Sequence, residues 1–383
     1  MEKKTKILYL HTGAELYGAD QILLSLVSNI DKKYFEPLVV LPNGGPLVNE
    51  LKKNGIKTKI ISYPIIRRKY FTPLGIINYM VQYKKSCKEL LKLIEEENIK
   101  IVHNNTLAVL EGIALKKNCD VKLISHIHEM LDHPKFVVKI LYKKHLKAAD
   151  SVVCVSNAVK EHIETLVGKS KNLVVVHNGI SPIKTENTNL KDKLNIPKNA
   201  KLFTIIGRIN AIKGQNDFIE AIKLAHKEND NIYGLIVGDA FSGQEWRVEE
   251  LKKELLNEGI SSFIKYTGFT KNISEIYSIT DTLILSSIQY DSFPTVVLEA
   301  MSCGIPTIAY RCGGVEEMIV NSKNGFLVEQ GNITDLSNKA IIMNKTVMYD
   351  NCVKHFNANF SLNDFIKNFS KLYYNLSMSG DEK

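Results

Sequence analysis

Short runs of apolar residues alternate with longer amphipathic stretches along almost the whole chain. The first run, Lys6–Thr12, predicts a buried parallel strand, and a glycine-containing loop and a predicted helix at Ala19–Ile30 follow it. Its centre, Ile7–Leu10, is uninterrupted by polar residues, as is typical of strands that are covered by helices on both faces. The same strand, loop and helix pattern then repeats, with strands predicted at Glu36–Leu41, Thr58–Ser62, Ile101–His103, Val121–His126, Ser151–Val155 and Leu173–Val176.

The pattern is interrupted once and then restarts. Ser181–Ala200 is polar, contains two prolines and has no periodicity, which predicts a linker at 183–200 between a first domain (1–182) and a second (201–360). The last predicted helix, near Asn363–Asn375 in the tail at 361–383, could belong to either domain, and packing on the first is one alternative. Strands of the second series are predicted at Leu202–Ile206, Ile232–Val237, Ile264–Thr267, Thr282–Ser286, Thr307–Tyr310 and Phe326–Val328.

Two such series predict an α/β protein of two doubly wound, Rossmann-like domains with a ligand cleft between them. The composition agrees, because 44% hydrophobic and 24% charged residues over 383 positions are ordinary for a globular protein. No apolar run of about 18 residues occurs, and the apolar stretch near Met1 is too short for a secretory signal. We therefore expect a cytoplasmic protein. Six scattered cysteines without a C-x-x-C pair are expected to be reduced thiols.

Positive charge is concentrated in the first half of the chain. Residues 1–190 hold 29 Lys and Arg against 18 Asp and Glu, whereas the rest of the chain is slightly acidic. This bias favours an acidic partner, and the absence of any nucleic-acid-binding motif argues against DNA or RNA. The segment 63–85 mixes basic with apolar and aromatic residues. It suits an anionic membrane surface, such as the inner face of the cell membrane, and a solvated helix face is the alternative.

Two loops that follow predicted strands carry glycines, and the second of them also carries basic residues. The loop Thr12–Asp20 contains Gly18 before a predicted helix, an arrangement that suits a phosphate, although a plain tight turn is the alternative. The loop Gly207–Gly214 opens the second series and holds Arg208 and Lys213. A forked guanidinium beside a point-charge ammonium suits a pyrophosphate, whereas two solvated cations are the alternative.

Two further segments carry carboxylates and histidines. In Asp291–Gly304 an acidic loop leads into an apolar predicted helix with Glu299, a buried charge that needs a ligand or partner. Ser125–Glu129 ends a predicted strand with His126 and His128 on one face, and without a third ligand a substrate hydroxyl is favoured over zinc. At the start of the predicted helix that carries Glu299, backbone N–H groups are expected to bind phosphate oxygens. These are the N–H groups of Phe293, Thr295 and the neighbours of Pro294.

Together these segments resemble glycosyltransferase family 4, whose members have the GT-B architecture of two facing Rossmann-like domains. The resemblance covers nearly the whole chain and is densest between Ser151 and Val328. One departure is Asp291, which stands where the family usually has Glu. The matching segments are Val153–Val159, Val176–Ile180, Gly207–Gly214, Val237–Asp239, Thr267–Phe269 and Asp291–Gly304.

The resemblance implies a nucleotide-sugar donor, such as a UDP- or GDP-sugar, and a role for each candidate in the second domain. Glu299 would bind the ribose hydroxyls, Arg208 and Lys213 would bind the diphosphate, and Asp291 would pair with Glu299 as the second donor-contacting carboxylate. The remaining donor contacts are expected from Gly207, Gly268, Phe293, Pro294 and Thr295.

In the first domain, the resemblance implies that the amide of Gly18 approaches the phosphates. His128 would lie against the donor sugar, and His126 is the alternative for that place. These assignments make the first domain the acceptor side and the second domain the binding domain for the nucleotide-sugar donor.

The reaction that the resemblance implies is retaining transfer of a hexose to a saccharide or lipid-linked acceptor, in bacterial surface polysaccharide synthesis. No metal or other cofactor is expected, since Arg208 and Lys213 would stabilise the leaving diphosphate and the chain has no D-x-D sequence. Two alternatives stay open: a sugar-nucleotide epimerase of the same architecture, and a nucleotide-sugar-binding protein without turnover.

Overall fold

The computed structural model describes residues 4–67, 70–257 and 259–378. Its chain divides into two compact units, Met1–Ile180 with Leu362–Lys383, and Ser181–Ser361. Every strand expected from the sequence is present, with ends shifted by two residues at most.

The first unit is built on a seven-stranded parallel sheet. Its strands are β1 (Thr5–Leu10), β2 (Phe35–Leu41), β3 (Lys57–Ile60), β4 (Ile101–Asn104), β5 (Lys122–Ile127), β6 (Ser151–Cys154) and β7 (Leu173–Val175). Its helices up to the second unit are α1 (Gly18–Asn29), α2 (Pro46–Lys53), α3 (Pro73–Glu97), α4 (Glu111–Asn118), α5 (Lys135–Ala148) and α6 (Asn157–Val167). The strand order β3-β2-β1-β4-β5-β6-β7 reverses direction between β1 and β4, where open α/β sheets bind ligands at the carboxyl ends of the strands.

The second unit repeats this design with six strands. The strands are β8 (Lys201–Ile206), β9 (Ile232–Val237), β10 (Ile264–Gly268), β11 (Thr282–Leu285), β12 (Thr307–Tyr310) and β13 (Gly325–Val328). The helices are α7 (Leu190–Lys193), α8 (Gln215–Glu228), α9 (Trp246–Asn257), α10 (Ile273–Ile279), α11 (Thr295–Ser302), α12 (Ile333–Ile342) and α13 (Lys345–Asn359). The order β10-β9-β8-β11-β12-β13 puts the reversal between β8 and β11.

The segment expected to be a linker is largely part of the second unit. Within Ser181–Ala200 the chain forms α7, and Ile196 and Ala200 are buried in the same apolar cluster as Leu202. A four-residue helix and isolated apolar residues leave no periodic signal, so the sequence pattern could not separate this packed segment from a free connection.

The last helix, α14 (Leu362–Met378), packs on the first unit. Phe365, Phe369 and Tyr373 are buried in the apolar cluster that also contains Ile7 from β1. The Tyr373 hydroxyl also hydrogen-bonds a ring nitrogen of His103 at 2.7 Å. The chain therefore returns to the first unit after completing the second. Among the helices of the described residues, none is long and apolar enough to span a membrane.

Candidate active site

In the first unit, the loop between β1 and α1 is closed by an acidic residue. Gly18 is the first residue of α1, where backbone amides have no acceptor within the helix. The Asp20 carboxylate accepts the backbone N–H of Tyr17 at 2.8 Å with one oxygen. Its other oxygen lies 2.8 Å from Nε2 of the buried His11. The loop that presents Gly18 is thus fastened to the end of β1.

The two candidate histidines of β5 differ in depth. His126 is fully buried, and its Nδ1 lies 3.2 Å from Nε2 of His103. His128 comes just after the strand ends and is half-buried, with its ring centroid 4.1 Å from that of His126. His128 is therefore the histidine that a ligand at this edge of the sheet can reach.

A chain of hydrogen bonds connects His128 to Asp20. Nε2 of His128 lies 3.2 Å from Oδ1 of Asn105, whose Nδ2 lies 3.0 Å from Nδ1 of His11. Burial, followed by the proximity of His11, lowers the pKa of His128 to about 3, so its imidazole is neutral at physiological pH. The sequence analysis missed His11 and Asn105. A usable signal existed, because each is the residue directly after one of the two neighbouring central strands, β1 and β4.

Glu129, beside His128, has a structural task. Its carboxylate accepts hydrogen bonds from the Thr106 hydroxyl and from the backbone N–H groups of Leu107 and His128. Burial nevertheless raises the pKa of Glu129 above its usual value. The carboxylate thereby joins the loop after β4 to the loop after β5.

In the second unit, the loop from β8 to α8 is shaped by close backbone approaches. Gly214 precedes α8 with φ +71°, and a Cβ there would collide with the carbonyl oxygen of Ser286. The side chain of Asn210 accepts the backbone N–H of Lys213 at 3.1 Å. Gly268 ends β10, also with a positive φ of +72°. Only glycine adopts such conformations readily, so these positions are set by geometry.

The structure brings Lys213 and Asp291 together. Nζ of Lys213 lies 2.6 Å from Oδ2 of Asp291, and the two side chains keep 30% and 21% of their accessible surface. The guanidinium of Arg208 lies over the ring of Phe241, with 3.9 Å between Cζ and the ring centroid. Both cations lie on the loop between β8 and α8, which begins at Gly207, and both remain partly accessible.

Glu299 has a protein partner. It lies on α11, and its Oε2 accepts a hydrogen bond of 2.7 Å from the Tyr277 hydroxyl. Burial raises its pKa above the usual value, against the opposing effect of hydrogen bonds from Tyr277 and Thr295. Tyr277 of α10 is therefore the partner that this acid was expected to need. The side chain of Glu299 is half-buried.

The loop before α11 is held by glycines that the sequence analysis did not select. The carbonyl of Asp291 accepts the N–H of Gly314 at 2.9 Å, and a Cβ on Gly314 would collide with the carbonyl of Ser292. Phe293 is buried against Phe360, with 5.6 Å between ring centroids. Pro294 is the N-cap of α11 and Thr295 its first residue. Across the described residues, no group of three or more His, Cys, Asp and Glu side chains could hold a metal ion.

Two family models match the chain in succession. The model for Glycosyltransferase Family 4 matches residues 17–183, and the model for Glycosyl transferases group 1 matches residues 186–347. The chain is a family 4, group 1 glycosyltransferase. The family that its motifs resemble is therefore confirmed.

Known relatives of this glycosyltransferase act in different settings. UDP-Gal:alpha-D-GlcNAc-diphosphoundecaprenol alpha-1,3-galactosyltransferase of Escherichia coli is 25% identical, over 95% of this chain and 98% of that enzyme. N-acetyl-alpha-D-glucosaminyl L-malate synthase of Bacillus anthracis is 30% identical, but the match covers only 51% of this chain and 50% of that relative.

Solved structures confirm the GT-B fold of the glycosyltransferase. Anabaena HepE in complex with UDP superposes with a TM-score of 0.84 at 22% identity, over 97% of this chain and 100% of that one. A glycosyltransferase from Rickettsia africae superposes with a TM-score of 0.80 at 23% identity, over 97% and 98% of the two chains.

Proposed function

We propose that this glycosyltransferase transfers a hexose from a UDP-sugar to a saccharide or lipid-linked acceptor, with retention and without a metal, in bacterial surface polysaccharide synthesis. The observation that carries the proposal is the partly accessible Lys213–Asp291 ion pair, whose lysine lies on the same loop after β8 as the partly accessible Arg208. The names of relatives support the donor and acceptor classes, since one uses UDP-Gal on a diphosphoundecaprenol-linked sugar and HepE was crystallised with UDP-glucose.

In this proposal the second unit binds the nucleoside diphosphate. Arg208 and Lys213 neutralise the charge that develops on the diphosphate as the glycosidic bond breaks, a task that a divalent cation performs in other sugar transferases. The N-terminus of α11 adds a partial positive charge near Thr295. Glu299 accepts from the ribose hydroxyls. The backbone at Gly207, Gly268, Phe293 and Pro294 completes the site.

Asp291 has two tasks in the proposed reaction. It orients Lys213 through their ion pair, and its carboxylate accepts from a hydroxyl of the donor sugar. An ammonium group has three N–H donors, so Lys213 can hold Asp291 and a phosphate oxygen together. The side chain of aspartate is shorter than the glutamate usual in the family, and the direct contact with Lys213 gives it a use here.

The first unit contributes neutral groups. His128 accepts a hydrogen bond from a hydroxyl of the transferred sugar, and the amide of Gly18 binds the diphosphate. With a pKa of about 3, His128 carries no proton to donate as an imidazolium. The acceptor attacks on the face that the diphosphate leaves, and a phosphate oxygen takes the acceptor's proton.

Binding of nucleotides is the first test. We expect UDP to raise the unfolding temperature more than GDP, ADP or CMP. A ligand at about 100 times its Kd adds about 2.7 kcal/mol to the free energy of unfolding, which gives a measurable shift. Glu299→Ala should abolish that shift, while Glu250→Ala, on the exposed face of α9, should keep it. A UDP shift that survives Glu299→Ala contradicts the assignment of Glu299.

Turnover separates the proposal from an epimerase and from a binding protein. Incubation with UDP-sugars should release UDP only when a saccharide or lipid-linked acceptor is added. Interconversion of the UDP-sugar without an acceptor would indicate the epimerase. Binding without either reaction would indicate a protein that has lost turnover.

We further propose that the first unit docks on anionic membrane through α3. Leu74, Ile77 and Val81 are 80%, 60% and 62% exposed, and their spacing places them along one side of the helix. Lys84 and Lys85 follow on exposed positions. An apolar helix face with adjacent cations suits a lipid interface. Of the basic cluster in the segment 63–85, Arg68 and Lys69 lie outside the described residues.

Vesicle binding tests the docking face. The triple change Leu74→Ser, Ile77→Ser and Val81→Ser should reduce binding to phosphatidylglycerol vesicles and leave turnover on a soluble acceptor intact. The matched control replaces three comparably exposed apolar residues of the second unit by serine: Leu256, Ile342 and Val347. Equal vesicle binding by both triple variants would leave α3 as a solvated face.

A further inference from the structure

The hydrogen bonds that end at His128 run in one direction. A carboxylate only accepts, so His11 must donate from Nε2 to Asp20 across 2.8 Å. The amide nitrogen of Asn105 lies 3.0 Å from Nδ1 of His11 and can only donate, so Nδ1 accepts and the Asn105 carbonyl is turned towards His128. Nε2 of His128 therefore carries the proton that it donates to that carbonyl. The direction of the hydrogen bond from His11 to Asp20 thus determines the tautomer of His128, three hydrogen bonds along the chain of contacts.

The other ring nitrogen of His128 is left available. Within the described residues Nδ1 of His128 has no hydrogen-bond partner, and it is not among the buried polar atoms. A neutral imidazole with hydrogen on Nε2 presents a lone pair at Nδ1. That nitrogen can accept from a hydroxyl group and cannot donate to one.

The connecting side chains are built into the core. His11 and Asn105 are each 1% exposed and Asp20 is 6% exposed. Burying three polar side chains costs free energy that apolar residues would not incur, unless every hydrogen bond is made. The backbone of His11 is itself held, since its N–H and carbonyl both hydrogen-bond the hydroxyl of the buried Tyr63. The arrangement is rigid as well as satisfied.

We propose that Asp20, His11 and Asn105 are positioning residues that hold His128 as the Nε2–H tautomer, so that Nδ1 accepts from a hydroxyl of the transferred sugar. This inference rests on the proposed function for the sugar, although the tautomer itself does not. Because Asp20 also accepts the N–H of Tyr17, one carboxylate fixes both His128 and the loop that presents Gly18.

The tautomer can be observed without any activity. In protein labelled with ¹⁵N-histidine, long-range ¹H–¹⁵N spectra should show His128, assigned by its loss in His128→Gln, with hydrogen on Nε2 and protected from exchange with water. Asn105→Leu and Asp20→Asn should remove that protection. Asp150→Asn is the matched control, since Asp150 accepts the N–H of Leu123 near the opposite end of β5. A proton on Nδ1, or protection that persists in both variants, would overturn the inference.

Turnover distinguishes positioning from simple stabilisation. Asp20→Asn and His11→Leu should lower kcat by about 10- to 100-fold, the cost of misplacing a group that contacts substrate. The affinity of His11→Leu for UDP should stay unchanged, because Asp20 still holds the loop that presents Gly18. His11→Gln should recover most of kcat, because its amide can donate to Asp20 and accept from Asn105. Equal losses in His11→Gln and His11→Leu would reduce His11 to a structural residue.

The two proposals fail in different ways. If wild-type protein transfers no sugar while His128 shows a protected Nε2–H, the proposed function fails and the tautomer assignment stands. If wild-type protein transfers sugar normally and Asp20→Asn has the wild-type kcat, the positioning role of Asp20 fails and the proposed function stands.

Discussion

The two units share one strand order but place opposite chemistry on equivalent loops. The loop after β1 leads to a chain of hydrogen-bonded polar side chains: the buried His11 and Asn105 and the half-buried His128. The loop after β8 carries Arg208 and Lys213, which stay partly accessible and charged. The sheet places both loops at the carboxyl ends of central strands, and the residues on them decide whether the site offers hydrogen bonds or charge.

The comparison also shows that the net charge of a region is a poor guide to its site. The first half of the chain is strongly basic, yet burial holds the pKa of His128 and of His103 at about 3, so these side chains are neutral. The slightly acidic second half carries the cationic loop. The surplus lysines of the first unit therefore suit a surface role better than phosphate binding in its site.

Removal of the charge at Lys213 should have the largest effect. Lys213→Met keeps the length of the side chain but cannot stabilise the leaving diphosphate, so kcat should fall by about 10²- to 10³-fold. Steady-state rates with saturating donor measure this loss. Lys252→Met, on the exposed surface of α9, should be neutral. A loss below about 3-fold for Lys213→Met would break the contrast between a charged and a neutral unit.

The Lys213–Asp291 pair provides a finer test, because one substitution should strengthen UDP binding and slow sugar transfer. Asp291→Asn frees the ammonium from its competing carboxylate, so UDP should bind up to about 10-fold more tightly, within the range of a partly exposed pair. The rate of sugar transfer should fall, since an amide orients Lys213 and the sugar hydroxyl less well. Calorimetry with UDP and steady-state kinetics measure the two effects. Weaker UDP binding would indicate that Asp291 supports the nucleotide directly.

The fold was predictable because its signals are local and repeated. Apolar runs such as Lys6–Thr12 followed by amphipathic stretches determine a buried parallel strand and its covering helix. The packed part of Ser181–Ala200 was missed because its burial depends on residues far away in sequence. The return of α14 to the first unit, one of two alternatives that the sequence left open, likewise depends on residues far away in sequence.

The candidate site was predictable in its charges and not in its partners. Arg208, Lys213, Asp291 and Glu299 stand out because charged residues beside glycines or within an apolar helix are unusual. That Lys213 meets Asp291, 78 positions away, follows only from the fold. The same applies to Tyr277 on Glu299, whose hydroxyl a sequence pattern cannot place. The signal for His11 and Asn105 was positional instead, since each follows one of two neighbouring central strands.

A buried carboxylate of the first unit, Glu111, gives the prediction with the smallest expected effect, a change in stability with pH. Glu111 is fully buried on α4, and its Oε1 accepts from the Ser86 hydroxyl at 2.9 Å. Its Oε2 meets no hydrogen-bond donor among the described residues. Burial raises the pKa of Glu111 from 4.5 to about 7, so burial favours the uncharged form of this acid as it does for the histidines of the first unit.

The sign of its pH dependence follows from the raised pKa. Between pH 4.5 and about 7 the folded protein holds a proton on Glu111 that the unfolded chain has lost, so stability falls as the pH rises through this window. Glu111→Gln removes the charge and keeps the contact with Ser86. At pH 8 it should raise the free energy of unfolding by on the order of 1 kcal/mol, because the amide still bears part of the desolvation cost.

Thermal unfolding at pH 5 and pH 8 measures this difference. Glu111→Gln should gain several degrees over wild type at pH 8 and little at pH 5, whereas Glu89→Gln, on the exposed part of α3, should gain at neither. Equal gains at both pH values would mean that shape, and not ionisation, limits stability at Glu111. The first unit would then tolerate a charged, incompletely hydrogen-bonded carboxylate. The two units would in that case differ in how many charged groups they hold, and not in whether they hold any.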